Sequence, residues 1–331
     1  MNNRKEQVKR LWQTVFDTDS AEFVDYYFGN IYDDNDCFSR ENNKGVVVSA
    51  LQSLPYPFCY YRATIGMRYI SGASTYQEHR GVGLMGQLMR DSIVGAYASG
   101  DALMTLIPAN SGLYGYYAQF GFAPIFKKSL NTHQYSNDDS DGYTIQSISD
   151  VDRVEIYKYL HYEQGYKLAT VYHSESGFEH ICFDYNRRVY ALFDSANDIR
   201  GVAFVNEDSR VNMIIGDRDK QVEIFLNLIC RWYGLRVIDY LVADDNGNDW
   251  GMGRVINAEK MLSIYAKANP KFTAKLSVTD AIIDENNCVF EVTAGEVKVS
   301  DSAIEATAVT IQELAEILFK GTTADLSLML E

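Results

Sequence analysis

The sequence predicts an α+β protein built from three successive units, on three observations. Helical periodicity opens the chain, with Val8, Leu11, Trp12, Val15 and Phe16 recurring at i, i+3 and i+4. Strand-like runs then alternate with further helical stripes, and one of them, Met67–Thr75, passes through a basic glycine-rich turn straight into a helix. Finally, two polar stretches rich in turn formers, Asn131–Gly142 and Asp244–Asp249, divide the 331 residues into units of ordinary domain size at 1–130, 143–243 and 250–331.

Within the first unit a second helix follows the first, with Asp19 as the expected cap and Glu22 reaching back to it. Strands are expected at Gly45–Ala50, around Phe58–Arg62 and at Met67–Thr75, and beyond the turn Leu84, Leu88 and Met89 line a helix. Ala102–Ile107 is the next strand, and Tyr117-Ala-Gln-Phe-Gly-Phe122 leads from a helix into another. In the second unit Arg188–Phe193 and Gly201–Val205 read as a hairpin, Val211–Ile215 as a strand, Val222–Trp232 as an apolar-striped helix and Arg236–Val242 as a strand. The third offers strands at Phe272–Val278 and Val289–Val292, then a helix from Thr310 through Ile311, Leu314, Ile317 and Leu318 to a stop at Gly321.

Composition bounds the function. With 47% hydrophobic and 23% charged residues the chain can build real cores, which excludes intrinsic disorder. A net charge of −15 argues against a nucleic-acid partner; it suits a cationic substrate and equally suits simple solubility. Cys37, Cys59, Cys182, Cys230 and Cys288 are scattered and form no CxxC pair, so neither a disulfide framework nor a metal site is expected and a reducing cytoplasm fits. No apolar run reaches the roughly 18 residues that span a bilayer, and the N-terminus lacks an apolar targeting segment, so the expectation is a soluble, cytoplasmic protein with no membrane insertion.

The most informative segment is Ala73-Ser-Thr-Tyr-Gln-Glu-His-Arg-Gly-Val-Gly-Leu-Met-Gly-Gln-Leu-Met89. Its glycines let the backbone approach a ligand closely, the new helix offers unpaired N–H groups and a positive dipole end, and Arg80 adds a fixed cation. A pyrophosphate is the natural guest. Gly81-Val-Gly83-Leu-Met-Gly86 also spells the dinucleotide fingerprint GxGxxG, but polar Gln77–Arg80 separates strand from glycine, and Asp101 precedes the next strand instead of ending it. A dinucleotide is therefore excluded on geometry. His79 could touch a phosphate when protonated, or could simply face solvent.

Arg80-Gly-Val-Gly83-Leu-Met85 resembles the acyl-CoA signature of the GNAT superfamily of N-acetyltransferases, Arg/Gln-x-x-Gly-x-Gly/Ala, with Met85 where the pattern has a small residue. Tyr117-Ala-Gln-Phe-Gly-Phe122 resembles the family's Tyr-x-x-x-Gly-Phe/Tyr motif, in the right order and spacing. The order of elements in the first 130 residues also resembles that family's mixed-sheet layout. The second unit resembles a degenerate GNAT-like domain without the phosphate turn, and Met252-Gly-Arg-Val-Ile-Asn257 resembles the start of a sterol-carrier-like α/β domain. That series is similar to the enhanced-intracellular-survival (Eis) family of acetyltransferases, whose members form oligomers.

The resemblance implies transfer of an acetyl group from acetyl-CoA to a primary amine, on a small molecule or a peptide. It assigns the backbone of Ala73, Ser74 and Thr75 to the pantetheine arm and thioester carbonyl, and Arg80, Gly81, Val82 and Gly83 to the diphosphate. Tyr117 maps onto the family's general acid, a phenol able to protonate a departing thiolate; Tyr114 and Tyr116 crowd the same turn as packing or pocket residues. In the resembled family the terminal carboxylate acts as base, a role that falls here to Glu331. Glu22, Asp25, Asp33, Asp34 and Asp36 could attract an ammonium or form a solvated face. Trp12, Phe16, Tyr26, Tyr27, Phe28 and Tyr32 could wall an acceptor pocket or fill a core. A non-catalytic acyl-CoA or lipid-binding sensor is the alternative function.

Overall fold

The structure, a computed structural model, describes residues 4–137, 140, 142–149, 151–216 and 219–329. Helices α1 (Arg4–Val15) and α2 (Ala21–Asn30) open the chain, with Val8, Leu11 and Trp12 buried as their period requires. The cap of α2 is Ser20, whose hydroxyl accepts the Phe23 N–H at 3.1 Å. Asp19, expected in that role, instead accepts the indole N–H of Trp12 at 2.7 Å, which ties the two helices together.

Strands β1 (Cys37–Glu41), β2 (Val47–Tyr60) and β3 (Ala63–Thr75) form an antiparallel meander. Tyr61 and Arg62, both at positive φ, make the tight β2–β3 turn, so the shorter runs expected at 45–50 and 58–62 belong to one long strand and the turn that ends it. Helix α3 (Leu84–Ala98), strand β4 (Leu103–Leu106), helix α4 (Tyr114–Ala118) and strand β5 (Ala123–Gln134) complete the first third. Next come β6 (Thr144–Ser147), α5 (Arg153–Gln164), β7 (Ala169–Val171), α6 (Glu175–Asp184), β8 (Val189–Phe193), β9 (Ile199–Val205), β10 (Val211–Gly216), α7 (Asp219–Tyr233) and β11 (Val237–Ala243). The last third holds β12 (Asn248–Val255), α8 (Ala258–Ala268), β13 (Ala274–Thr279), β14 (Val289–Thr293), β15 (Glu296–Ser300), β16 (Thr307–Thr310) and α9 (Ile311–Phe319). Thr310 and Glu313 close a reciprocal capping box at the head of α9.

One mixed sheet joins the strands in the order β1-β2-β3-β4-β12-β5-β11-β10-β9-β8-β6, with β7 beside β2, and a second runs β15-β14-β13-β16. Two features depart from local expectation. Strand β5 continues through Asn131–Gln134, pairing from Lys128↔Ala243 to Gln134↔Val237, so the first part of the expected linker is strand. Its polar residues are satisfied by Asp239 of β11, which accepts from Thr132, and by Asn227 of α7, which bonds His133, and this replaces the apolar alternation that sequence reading depends on. Asp138, Asp139 and Asp141 of that segment lie outside the described residues. Strand β12, from the head of the third unit, lies between β4 and β5, with Met252↔Leu106, Val255↔Leu103, Asn248↔Lys128 and Gly253↔Ala123 as partners.

Helices α1 and α2 cover one face of the meander over Val47, Ala50 and Leu54, while α3 covers the other over Leu51 and Ile70. Helices α8 and α9 share a core with Phe58, Tyr60, Met67 and Phe126, so the last third packs directly on the first. Among the described residues no helix is long and apolar enough to cross a membrane.

Candidate active site

Strands β3 and β4 run parallel but pair only over Met67↔Leu103, Arg68↔Met104 and Tyr69↔Thr105. Beyond Tyr69, β3 continues to Thr75 while β4 ends at Leu106 and turns its other edge to β12. The two strands therefore part, leaving the β3 edge from Ile70 to Thr75 without a strand on its β4 side among the described residues. An extended ligand arm with amide groups can pair there as a strand would. Some backbone on that stretch is already engaged: Ser74 O accepts the Ser49 hydroxyl at 3.3 Å and Thr75 O accepts Arg80 Nε–H at 2.9 Å. Ala73 borders the apolar cluster beneath α3.

From Thr75 the chain enters a 3-10 turn, Gln77–His79, and then the glycine turn. Gly81 and Gly83 have φ of +80° and +84°, a left-handed geometry that L side chains adopt only with strain, and a Cβ at either would meet nothing within 4 Å. The glycines thus serve backbone conformation and not packing. Gly83 is the N-cap of α3 and supplies no side-chain acceptor, so the first amides of the helix, at Leu84 to Gly86, point outward uncapped. Val82 is 68% exposed at the tip. The Arg80–Thr75 bond, made through Nε, ties the guanidinium across the base of the turn. An open cradle of amides with one fixed cation suits a diphosphate.

Tyr117 lies in α4, buried against Phe122 and Tyr116. Burial, aided by Tyr116, pushes its phenol up to about 12, so it is protonated at neutral pH. Tyr114 and Tyr116 are less buried, and both are shifted upward mainly by burial. Two devices set the exit of α4. Gly121 has φ +83°, and a Cβ there would stand 2.6 Å from Ile311 of α9. The Phe120 carbonyl accepts Arg254 Nε–H at 2.7 Å, and Arg254, fully buried, also donates to Val255 O at 2.8 Å and to Asp280 at 2.6 Å. A buried ion pair from the last third of the chain thereby anchors the turn that carries Tyr117.

A cleft of about 810 Å³ opens on the α2 side, lined by Phe23, Asp184, Trp250, Lys128, Leu326 and Met329 among others. Trp250 stands two residues before Met252, which pairs with Leu106 at the end of β4. Asp184 is raised to about 6 by burial and by the nearby charges of Asp19 and Glu207. The indole N–H of Trp250 is buried without a partner among the described residues, while Lys128 sits 4.4 Å above its ring.

Of the acidic candidates only Glu22 lines the cleft. Asp25 pairs with Lys9, Asp36 with Arg68, Asp34 accepts the Tyr32 hydroxyl and Asp33 caps its own turn at Asn35 N–H. Trp12, Tyr27 and Phe28 are core, and Tyr26 stacks on Phe183 and bonds His180. Glu331 lies outside the described residues; the residues before it, Leu326, Leu328 and Met329, line the cleft. Arg254, Asp184 and Trp250 were not singled out from sequence, although a lone arginine in the apolar run Met252–Ile256 is a signal of a buried pair.

Residues 2–125 match the family model described as the acetyltransferase (GNAT) domain. Among solved structures the chain is similar to a conserved protein of unknown function from Enterococcus faecalis V583, described as a probable N-acyltransferase, at 15% identity and TM-score 0.78, covering 95% of this chain and 87% of that one. It is also similar to a GCN5-related N-acetyltransferase from Anabaena variabilis ATCC 29413, at 14% identity and TM-score 0.75, covering 97% and 88%. Eis1 from Mycobacterium abscessus gives 12% identity and TM-score 0.71, covering 97% and 89%. A search of the curated proteins finds no match. The match over residues 2–125 marks the protein as an acyltransferase, and its likeness in fold to these structures extends over nearly its full length.

Proposed function

We propose that the protein is an acetyl-CoA-dependent N-acetyltransferase that passes the acetyl group directly to a primary amine held in the cleft beside α2. The observation that carries this reading is the parting of β3 from β4 beyond Tyr69, at the foot of an uncapped helix entered through Gly81 and Gly83. The amides of the turn and Arg80 take the diphosphate, and the free edge of Ala73, Ser74 and Thr75 takes the pantetheine arm and polarises the thioester carbonyl. Tyr117, a phenol that stays protonated at neutral pH and whose burial raises it further, gives its proton to the sulfur as the carbon–sulfur bond breaks and the carbon–nitrogen bond forms.

The amine must shed a proton to attack, and a carboxylate at the cleft receives it; we assign that role to Glu331, with Glu22 as the described residue best placed to replace it. In this reading residues 1–130 form the catalytic GNAT domain, 143–243 a degenerate GNAT-like domain and 250–331 a sterol-carrier-like domain, in a cytoplasmic homo-oligomer. Free-thiol release from acetyl-CoA against a panel of primary amines tests it. Amine-dependent release is the expected result, whereas CoA binding without release would favour a non-catalytic acyl-CoA sensor.

A further inference from the structure

The tail that ends the described chain, Thr322–Met329, is buried along almost its whole length. Helical or apolar packing alone does not hold it there. Asp325 N–H donates to Ala169 O at 2.9 Å and Val171 N–H donates to Asp325 O at 3.2 Å, a single parallel bridge to Thr170 on the edge of β7. The opposite edge of β7 pairs with β2. Beside that bridge the Asp325 and Ser327 side chains turn to polar partners, while Leu326, Leu328 and Met329 line the cleft.

The polar side is an enclosed network. The Asp325 carboxylate, 5% exposed, accepts Lys167 Nζ–H at 2.6 Å and the Ser327 hydroxyl. Ser327 O faces His173 Nε2 at 3.3 Å; a carbonyl only accepts, so that nitrogen carries the hydrogen, and Nδ1 is left without a partner among the described residues. Burial alone would raise the Asp325 carboxyl, but Lys167, Lys128 and the hydrogen bonds from Lys167 and Ser327 outweigh it and hold it at about 2. Two backbone hydrogen bonds at one bridge hold the segment weakly, and a shift there would displace Leu326 and Leu328 from the cleft. An ion pair adds little to stability that apolar side chains could not supply, but it does fix position.

We infer that Asp325 and Lys167 are positioning residues for the transfer reaction, their ion pair holding the 322–329 segment in place as a wall of the acceptor cleft. The inference rests on the acyltransfer reading of that cleft. Lys167 is 33% exposed at its side chain, so Lys167→Met is expected to fold, with Lys167→Arg as the conservative control and Asp325→Asn as the reciprocal change.

The experiment reads hydrogen exchange of the 322–329 amides, CoA affinity by calorimetry, and the steady-state constants for the best amine over a range of pH. Lys167→Met and Asp325→Asn should speed tail exchange about tenfold or more and raise the amine KM about tenfold, with CoA affinity unchanged, and Lys167→Arg should restore both. In Lys167→Met, Asp325 keeps only Lys128 as a cation, so its carboxyl climbs and turnover gains an acid limb; Asp325→Asn shows no such limb. Unchanged tail exchange in both variants overturns the latch. A loosened tail with unchanged kinetics overturns the positioning role. If the wild-type protein acetylates no amine, the acyltransfer reading falls and the positioning role with it, while exchange still decides whether the pair holds the tail.

Discussion

Replacing Arg254 with Met removes the buried cation but leaves the buried anion. Arg254 and Asp280 are 0% and 1% exposed at their side chains, and their contact is 2.6 Å. Breaking such a pair from one side costs about 3–5 kcal/mol because the remaining charge is stranded. Here Asp280 keeps hydrogen bonds from Ile282 N–H at 2.9 Å, Ile283 N–H at 3.2 Å and the Asn286 amide at 2.9 Å, which offset part of that. The Phe120 and Val255 carbonyls each lose a donor, at about 1 kcal/mol apiece. The expected loss is about 4 kcal/mol, a fall of roughly 6 °C in Tm for a chain of 331 residues. Arg254→Met combined with Asp280→Asn strands no charge and should recover about 2 kcal/mol by thermal and denaturant unfolding. Turnover should stay low in both, since each leaves the Phe120 carbonyl unanchored. Additive losses in the double variant would refute the ion-pair reasoning, and turnover that recovers along with stability would refute any effect of Arg254 on Tyr117.

Arg80→Ala should weaken CoA binding by about 1.5–3 kcal/mol in calorimetry, the worth of a charged hydrogen bond, without altering Tm. Tyr117→Phe keeps the ring and its packing, so CoA affinity should hold while the rate of the chemical step falls about 10²–10⁴-fold, and the same change at Tyr114 or Tyr116 should be milder; the reverse order would move the acid to another tyrosine. His173 is lowered to about 4 by burial, against which the Ser327 carbonyl and Asp325 pull upward. It is neutral in both states above about pH 7; as pH falls from 6.5 towards 4 the unfolded chain takes a proton that the native state refuses, and stability drops by up to about 3 kcal/mol. Asp184, raised to about 6, slopes the other way over the same interval, so the His173 effect is read as the difference between wild type and His173→Gln in unfolding midpoints from pH 7 to 4.5.

What the sequence displayed was whatever local chemistry enforces. A phosphate turn needs positive φ at particular residues and a helix start beside them, so Gly81, Gly83 and the stripe of Leu84, Leu88 and Met89 could be read directly. The capping box at Thr310 and the buried stripe of α1 were legible for the same reason. Partnership was not. Nothing in the spacing of Asp25, Asp34 or Asp36 reveals that Lys9, the Tyr32 hydroxyl and Arg68 already engage them, and the polar end of β5 looks like linker until β11 lies beside it.

The same limit explains why, apart from Glu331, the site looked confined to the first third of the chain. Strand β12 begins within what reads locally as a break, and its place between β4 and β5 depends on two edges that are far away in sequence. Once it is there, Arg254 must be buried, and a buried guanidinium needs acceptors in fixed positions. Phe120 O and Asp280 supply them, one on the tyrosine turn and the other 26 residues further along the chain. Gly121 follows from this arrangement too, because α9 approaches closely enough for a Cβ to strike Ile311. The glycine of the Tyr-x-x-x-Gly motif thus answers to packing by the last third, and the position of Tyr117 is set jointly by both ends of the chain.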